Sequence, residues 1–216
     1  MIDFASEREA MIERTIRLRG LNDPALLAAF REVPREAFIS ADHAAFAYAD
    51  APLAIESGQT ISQPYIVALS IAAAGIGAQD KVLEIGAGSG YAAAVIGQIA
   101  REVVAIERHA ELVALARERM RQLGYGNVRI VEGDGSCGCP AEAPFDAIVA
   151  SASGIHVPAV LVEQLKPGGR MVMPIGEPHA VQSLIKVTKR ADGGTEREDL
   201  GAVRFVPLIG KHGFPG

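Results

Sequence analysis

From about residue 65 onward, short apolar runs alternate with longer amphipathic segments. The apolar runs predict β-strands at residues 82–85, 103–106, 128–132, 145–150 and 170–175, with two further strands near 181–188 and 200–206. The segments between them predict helices at residues 65–74, 91–100, 110–123 and 157–165. This alternation is typical of an α/β fold with a doubly wound, mostly parallel sheet, in which ligands bind at the carboxyl ends of the strands.

The first part of the chain has a different pattern. Apolar residues spaced among many charges predict a helix over residues 1–19, and Asp23-Pro24 marks the start of a second helix that runs through Phe30. These front helices are candidates for a lid over the substrate. We expect one domain over residues 1–216, with a helical cap and substrate loop in residues 1–75 and the sheet core in residues 76–216.

One strand runs directly into three glycines, Gly86, Gly88 and Gly90. Glycines here let the backbone adopt positive φ and let a ligand approach where a Cβ would collide. A dinucleotide-binding loop places its third glycine one residue later, and its pyrophosphate would be repelled by Glu84, just before the loop. The spacing and the charge therefore favour S-adenosylmethionine as the cofactor, with Ser89 inside the loop as a further contact.

Acidic residues also follow the next two predicted strands. Glu107 lies 21 residues after Gly86, where a doubly wound fold places the carboxylate that holds the ribose hydroxyls. Asp134, followed by Gly135, comes after the third strand and is positioned to accept a hydrogen bond from an adenine amino group. Each feature alone also fits a solvated turn, but three strand ends in this order predict a cofactor site.

Composition narrows the class of function. The 216 residues are 49 % hydrophobic and 22 % charged, as in an ordinary globular protein, and the formal net charge of −5 argues against a nucleic-acid partner. No apolar run is long enough for a membrane span and no signal sequence is visible, so we expect a cytoplasmic protein with no membrane partner. Cys137 and Cys139 are too close for an ordinary disulfide and too few for a zinc site, so we expect loop thiols and no metal.

The segment Gly-Gln-Thr-Ile-Ser-Gln-Pro at residues 58–64, about twenty residues before the glycine loop, resembles the protein-L-isoaspartate O-methyltransferase family. The glycine loop itself occurs in many methyltransferases, whereas the Thr-Ile-Ser segment is specific to this family. The resemblance extends over nearly the whole chain and includes residues 33–38, 133–135, 143–146, 157–158, 164–169 and 204–208.

The resemblance implies a seven-stranded, Rossmann-like methyltransferase sheet with extra N-terminal helices. It implies methyl transfer from S-adenosylmethionine, leaving S-adenosylhomocysteine, to the α-carboxylate of L-isoaspartyl residues in damaged proteins and peptides. Succinimide formation then follows without the enzyme. By the same resemblance Ser62 is the active-site hydroxyl, Thr60 and Ile61 shape the same wall, and Val206 and Pro207 belong to the segment over which the peptide lies. We expect the enzyme to act as a monomer.

The residues leave some alternatives open. A serine before Gln63-Pro64 also suits the cap of a helix. A substrate carboxylate is ionised at neutral pH and needs no strong base, so we expect the histidines (His43, His109, His156, His179 and His212) on the surface or in loops.

Three places depart from the family pattern, namely Glu56-Ser57, the segment 151–156 and Cys137-Gly138-Cys139. A carboxylate at position 56 would repel an anionic substrate unless it points away from the site. Two alternatives therefore stand beside isoaspartyl repair: a carboxyl methyltransferase for one dedicated peptide, and a protein that binds S-adenosylmethionine without transferring the methyl group.

Overall fold

A computed structural model describes residues 2–178 and 180–216, so Met1, predicted to open the first helix, and His179 lie outside the described residues. The helices are α1 (Phe4–Met11), α2 (Pro24–Glu32), α3 (Pro64–Ala74), α4 (Tyr91–Ile99), α5 (Ala110–Leu123) and α6 (Ala159–Glu163). The strands are β1 (Leu53–Ala54), β2 (Thr60–Ile61), β3 (Lys81–Ile85), β4 (Glu102–Glu107), β5 (Val128–Glu132), β6 (Phe145–Ala150), β7 (Leu165–Ile175), β8 (Gln182–Lys189) and β9 (Thr195–Val203).

Seven of the strands form one sheet in the order β5-β4-β3-β6-β7-β8-β9. Strands β3 to β7 pair in parallel, and β8 and β9 are added antiparallel. The chain moves outward from β3 to β5 and then returns to β6 on the other side of β3. A crevice therefore opens at the carboxyl ends of β3 and β6, where such sheets bind ligands. The predicted fold class is confirmed.

The central strands are buried on both faces of the sheet. Alternate residues of β3 show this, since Val82 belongs to one apolar cluster and Leu83 to the other, and both are fully buried. The neighbouring strand β4 repeats the alternation with Val103 and Val104. Burial on both faces explains why these strands are continuous apolar runs in the sequence.

The front segment packs into the same core as the sheet. Helix α2 begins as predicted, with Asp23 accepting a hydrogen bond from the Leu26 amide at 2.8 Å and Pro24 at the first helical position. Phe30 and Phe38 contact the ring of Tyr91 edge-on, with centroids 6.3 and 5.6 Å apart. The division near residue 75 into cap and core stays a prediction.

The first segment is helical through Arg19, as predicted, but changes type: the α-helix ends at Met11 and is followed by a π-helix over Ile12–Ile16 and a 3-10 turn over Arg17–Arg19. Two later boundaries were predicted wrongly. The helix predicted at 157–165 is one short turn, α6, because residues from Leu165 onward already pair with β6.

The last strand was predicted at 200–206 but spans 195–203. Its first residues are polar because β9 is the exposed edge of the sheet, and charged side chains protect such edges. Within the described part of the chain, no helix has the length and apolarity that crossing a membrane requires.

Candidate active site

Two cavities adjoin each other above the carboxyl ends of β3 and β6. The inner cavity has a volume of about 310 Å³ and is floored by the glycine loop, and the outer groove has a volume of about 680 Å³. Both are lined by the same five residues, Thr60, Ser62, Ser151, Val206 and Pro207. A ligand in the inner cavity therefore meets a ligand in the outer groove at these residues.

The glycine loop has the backbone geometry that the sequence predicts. Gly86, Gly88 and Gly90 have φ values of 82°, 54° and 90°, in the left-handed region that favours glycine. The amides of Gly86 and Ala87 both donate to the Ile106 carbonyl, at 2.9 and 3.0 Å, which ties the loop to the end of β4. Gly86, Gly88 and Ser89 line the inner cavity.

Glu107, at the end of β4, is buried and lines the inner cavity. Its Oε2 accepts a hydrogen bond from the Gly88 amide at 2.9 Å, and its Oε1 accepts from the amides of Arg108 and His109 at 2.7 and 2.9 Å. Three backbone donors hold the carboxylate in one orientation, and a carboxylate retains lone pairs for a further donor.

Glu84 lies in the middle strand of the sheet and is 1 % exposed. It lines the inner cavity, and its Oε2 has no hydrogen-bond partner among the described residues. Burial raises the pKa of Glu84 well above its ordinary value, and the nearby charge of Glu107 raises it further. The side chain is therefore a buried acid whose unpaired oxygen is available to a donor or a cation.

Asp134 and Gly135 follow β5, but only Gly135 lines the inner cavity. The Asp134 carboxylate accepts hydrogen bonds from the Ser136 amide and hydroxyl at 2.9 and 2.6 Å and from the Lys211 amide at 2.8 Å. Its fourth neighbour is the Cys137 thiol at 3.6 Å, a weak donor. The structure thus shows Asp134 tying the C-terminal segment to the site, with two donors on each carboxylate oxygen, the thiol being the weakest of the four.

The Thr-Ile-Ser segment closes the site from the front. Thr60 and Ile61 form β2, which pairs with β1, and Ser62 follows immediately. The N-cap of α3 is Gln63, which makes no side-chain cap bond, so Ser62 is not the helix cap. The Ser62 hydroxyl forms no hydrogen bond with another described residue. It is available where the inner cavity and the outer groove meet.

The other wall of the site is the segment of residues 205–208, held by two buried polar side chains. Ser153 forms two backbone hydrogen bonds, from its amide to the Val206 carbonyl and from the Leu208 amide to its carbonyl, both 2.8 Å. Gln182 is 2 % exposed; its amide nitrogen donates to the Phe205 carbonyl at 3.2 Å and its oxygen accepts from the Phe205 amide at 2.7 Å. Val206 and Pro207 are thereby fixed in the wall.

Sequence reasoning missed several residues of the site. Ser151 follows β6, so the strand-end rule that identified Glu107 would have found it. His109 lies in a loop, as predicted, but it also lines the inner cavity beside Glu107. Further residues that line it are Val67, Ala87, Tyr91, Ala152 and Leu208, which carried no motif of their own. His156 is exposed, as predicted.

The structure shows the surroundings of two of the three segments that depart from the family pattern. Glu56 lines neither cavity, and its Oε1 lies 3.8 Å from the Arg119 guanidinium. Ser57 has φ of 56°, and its hydroxyl donates to Glu111 Oε2 at 2.7 Å. Cys137 and Cys139 are free thiols, and no group of side chains suited to a metal occurs in residues 2–178 and 180–216.

Comparison with known proteins identifies similar chains over almost the full length. A family model described as protein-L-isoaspartate(D-aspartate) O-methyltransferase matches residues 6–213. A protein-L-isoaspartate O-methyltransferase of Rhodopseudomonas palustris is 52 % identical over 204 residues, 94 % of each chain. One of Brucella anthropi is 46 % identical over 215 residues, covering 100 % of this chain and 99 % of the other.

Solved structures of proteins described in the same way are also similar to this chain. A structure described as a protein-L-isoaspartate O-methyltransferase superimposes with a TM-score of 0.85 at 31 % identity, over 95 % of this chain and 66 % of the other. A putative enzyme of the same kind from Plasmodium falciparum, in complex with S-adenosyl-L-homocysteine, gives a TM-score of 0.80 at 25 % identity, over 97 % of this chain and 99 % of the other.

Proposed function

The chain belongs to the protein-L-isoaspartate(D-aspartate) O-methyltransferase family, and we propose that Ser62 marks the point at which its methyl transfer takes place. The enzyme transfers a methyl group from S-adenosylmethionine to the α-carboxylate of L-isoaspartyl residues, which starts repair through a succinimide. The observation that carries the proposal is the shared lining of the two cavities, in which Ser62 offers an uncommitted hydroxyl at the junction.

The residues of the inner cavity fit the cofactor. Its acidic groups, Glu84 and Glu107, complement a ligand with a sulfonium and an ammonium group, and the unpaired Oε2 of Glu84 leaves an acceptor free. Glu107 fits the ribose hydroxyls. Gly135 fits the adenine edge, and the Asp134 carboxylate, which lies next to it but outside the cavity lining, would accept from the adenine amino group. Gly86, Gly88 and Ser89 form the floor. We assign these seven residues to cofactor binding.

The outer groove fits the peptide. Thr60 lies at its inner end, next to Ile61 of the inner cavity, and Val206 and Pro207 form the wall along which an extended backbone can lie. Arg204 and Val181 lie farther out along the same groove. We assign Thr60, Ile61, Val206 and Pro207 to substrate binding, so that the isoaspartyl carboxylate reaches Ser62 at the inner end.

This arrangement meets the chemical needs of carboxylate methylation without a strong base. When bound, S-adenosylmethionine supplies an electrophilic methyl group on a sulfonium sulfur. The carboxylate is already ionised at neutral pH, so the protein must align it, with reacting atoms roughly 3 to 3.5 Å apart, and exclude water. Because two opposite charges neutralise each other, a dry site favours the reaction. Ser62 would orient the carboxylate by one hydrogen bond.

The structure weakens one reason for assigning a dedicated peptide substrate. Glu56 was the main departure in favour of that alternative, because its charge would repel an ordinary isoaspartyl carboxylate. Its carboxylate lies beside Arg119 and outside both cavities, so it does not oppose a general substrate. The segment 151–156 was the other support for that alternative, and its residues Ser151 and Ala152 line the inner cavity.

We further propose a cytoplasmic monomer that binds neither nucleic acid nor membrane. The net charge of −5 supports the first exclusion, since nucleic-acid binding needs a basic surface. The free thiols Cys137 and Cys139 fit a reducing compartment. Charged residues along the exposed edge strand β9 disfavour pairing with a second copy. Light scattering after gel filtration measures the mass directly, and a dimer would contradict the proposal.

The decisive experiment measures methyl transfer from labelled S-adenosylmethionine to two peptides that differ only in L-isoaspartyl or L-aspartyl at one position. We expect label on the isoaspartyl peptide alone. A hydrogen bond to a charged group contributes about 1.5–3 kcal/mol, so Ser62→Ala should lower kcat roughly 10- to 150-fold. Its affinity for S-adenosylhomocysteine should stay unchanged. Ser70→Ala is the control, since Ser70 lies in the following helix α3 and lines neither cavity.

Two outcomes would contradict the proposal. Equal labelling of both peptides would show that the groove does not select the isoaspartyl linkage. Wild-type kcat in Ser62→Ala, with the isoaspartyl peptide still labelled, would leave the family activity intact but remove Ser62 from the reaction.

A further inference from the structure

Arg35 has a setting that is uncommon for an arginine. It lies in the 3-10 turn Arg35–Phe38 and is fully buried. Its Nε donates to the Ala47 carbonyl at 2.8 Å, and its Nη2 donates to the Ser62 carbonyl at 2.8 Å. Its guanidinium carbon lies 4.7 Å from the centroid of the Tyr91 ring. The side chain thus contacts three segments that are distant in sequence.

The buried guanidinium of Arg35 has no ionic partner to offset the cost of removing its charge from water. No carboxylate of residues 2–178 and 180–216 forms an ion pair with Arg35, and its Nη1 has no hydrogen-bond partner. Burial lowers the pKa of Arg35, as expected for a charge removed from water, although an arginine stays protonated at neutral pH. A buried charge without an ionic partner is expensive, and apolar residues often fill such space with equal or greater stability. Stability alone is therefore a poor explanation for Arg35.

The partners of Arg35 belong to the active site. Ser62 is the proposed reacting position, and the hydrogen bond from Arg35 is made to its own carbonyl. Tyr91 is the first residue of α4, directly after the glycine loop, and it lines the inner cavity. Arg35 itself lines neither cavity. One guanidinium therefore joins the substrate loop to the cofactor loop from behind.

We infer that Arg35 is a positioning residue for methyl transfer, which sets the orientation of Ser62 against the cofactor loop through the Ser62 carbonyl and the Tyr91 ring. This inference rests on the proposed role of Ser62. Ser62 lies between the two-residue strand β2 and the start of α3, so few other bonds fix its peptide plane. Without the Arg35 bond the peptide can rotate and carry the hydroxyl away from the substrate carboxylate.

A lysine cannot replace Arg35 in this geometry. The planar guanidinium donates in two directions at once, to Ala47 and to Ser62, while its face stacks on an aromatic ring. The lysine ammonium keeps the charge, but its three donors sit on one nitrogen, so it lacks the separate Nε and Nη2 donors and the planar group that lies over the ring. Arg35→Lys therefore preserves the charge and much of the volume while removing the positioning contacts.

The test compares Arg35→Lys and Arg35→Met with the same two changes at Arg170. Arg170 is a matched control because its guanidinium also joins distant segments, donating to the Gly75 carbonyl and to Asp80, but lines neither cavity. A misplacement of about 1 Å costs on the order of 100-fold in rate, so we expect kcat for an isoaspartyl peptide to fall about 10- to 100-fold in both Arg35 variants. The affinity for S-adenosylhomocysteine should change less than about threefold, because Arg35 does not line the cavity. The Arg170 variants, which alter a partly exposed guanidinium paired with Asp80, should keep wild-type kcat whatever their loss of melting temperature.

A double-variant cycle with Ser62→Ala separates positioning from general destabilisation. If Arg35 acts through Ser62, Arg35→Lys should lose little further activity once the hydroxyl is absent, since residues that act as a unit are non-additive. If Arg35→Met does not fold, Arg35→Lys alone carries the cycle. Wild-type kcat in Arg35→Lys, or equal losses with and without the Ser62 hydroxyl, would overturn the inference. An unchanged kcat in Ser62→Ala alone would instead overturn the proposed role of Ser62.

Discussion

Glu84 makes the stability of the cofactor-free protein depend on pH in a specific direction. The side chain is 1 % exposed, its Oε2 has no partner, and burial together with the charge of Glu107 raises its pKa well above the ordinary 4.5. In the unfolded chain the same carboxyl ionises near its ordinary pKa. At pH values between the unfolded-state and folded-state pKa of Glu84, the folded protein holds one proton that the unfolded chain has released.

The sign of the effect follows from this difference in bound protons. Because the folded state binds more protons, the free energy of unfolding falls as pH rises, by about 1.4 kcal/mol for each pH unit per proton. The contribution is fully present below the unfolded pKa and is lost as pH rises toward the folded pKa.

Glu84→Gln removes the titrating group and keeps its shape. We expect the free energy of unfolding of Glu84→Gln, relative to wild type, to rise with pH above the ordinary pKa of the carboxyl, by up to about 1.4 kcal/mol for each pH unit until the pKa of the folded state is reached. Urea unfolding of the cofactor-free proteins at pH 5, 6 and 7 measures this difference in the free energy of unfolding. Glu132→Gln, at the exposed end of β5, is the matched control and should follow the wild type at every pH. A constant difference between Glu84→Gln and wild type would show that Glu84 is ionised in the folded protein and would refute the reasoning.

Two further predictions concern the walls of the site. Gln182→Leu leaves the Phe205 backbone without its hydrogen-bond partners, which should cost about 1–3 kcal/mol of stability and raise the KM for an isoaspartyl peptide. Urea unfolding measures the stability and steady-state kinetics measure the KM. An unchanged KM would show that this segment does not hold the peptide. Glu56→Gln should leave that KM within about twofold of wild type, since the carboxylate faces Arg119 rather than the groove; a marked fall in KM would mean that Glu56 repels the substrate.

The parts of the fold that follow from local pattern were predictable. The parallel strands are continuous apolar runs because both of their faces are buried, so their positions and the fold class could be read directly. The exposed strand β9 begins with Thr195-Glu196-Arg197-Glu198-Asp199, a polar run that resembles a loop, and it was placed five residues too late. The short α6 was overextended because pairing of Leu165 with Phe145 ends it early, and that pairing is not visible locally.

The candidate site also has features that the sequence predicted and features that only the structure shows. By itself the sequence determined the strand ends and therefore the chemistry carried there, namely the glycine loop, Glu84 and Glu107, together with the Thr-Ile-Ser segment that resembles the family. Only the tertiary structure decided which groups are free and which are already bound. Asp134 is largely committed to Ser136 and Lys211, Glu56 faces Arg119, and Arg35 holds the Ser62 carbonyl from 27 residues away. The physical reason is that hydrogen bonds and burial depend on neighbours that folding brings together, which local spacing along the chain does not encode.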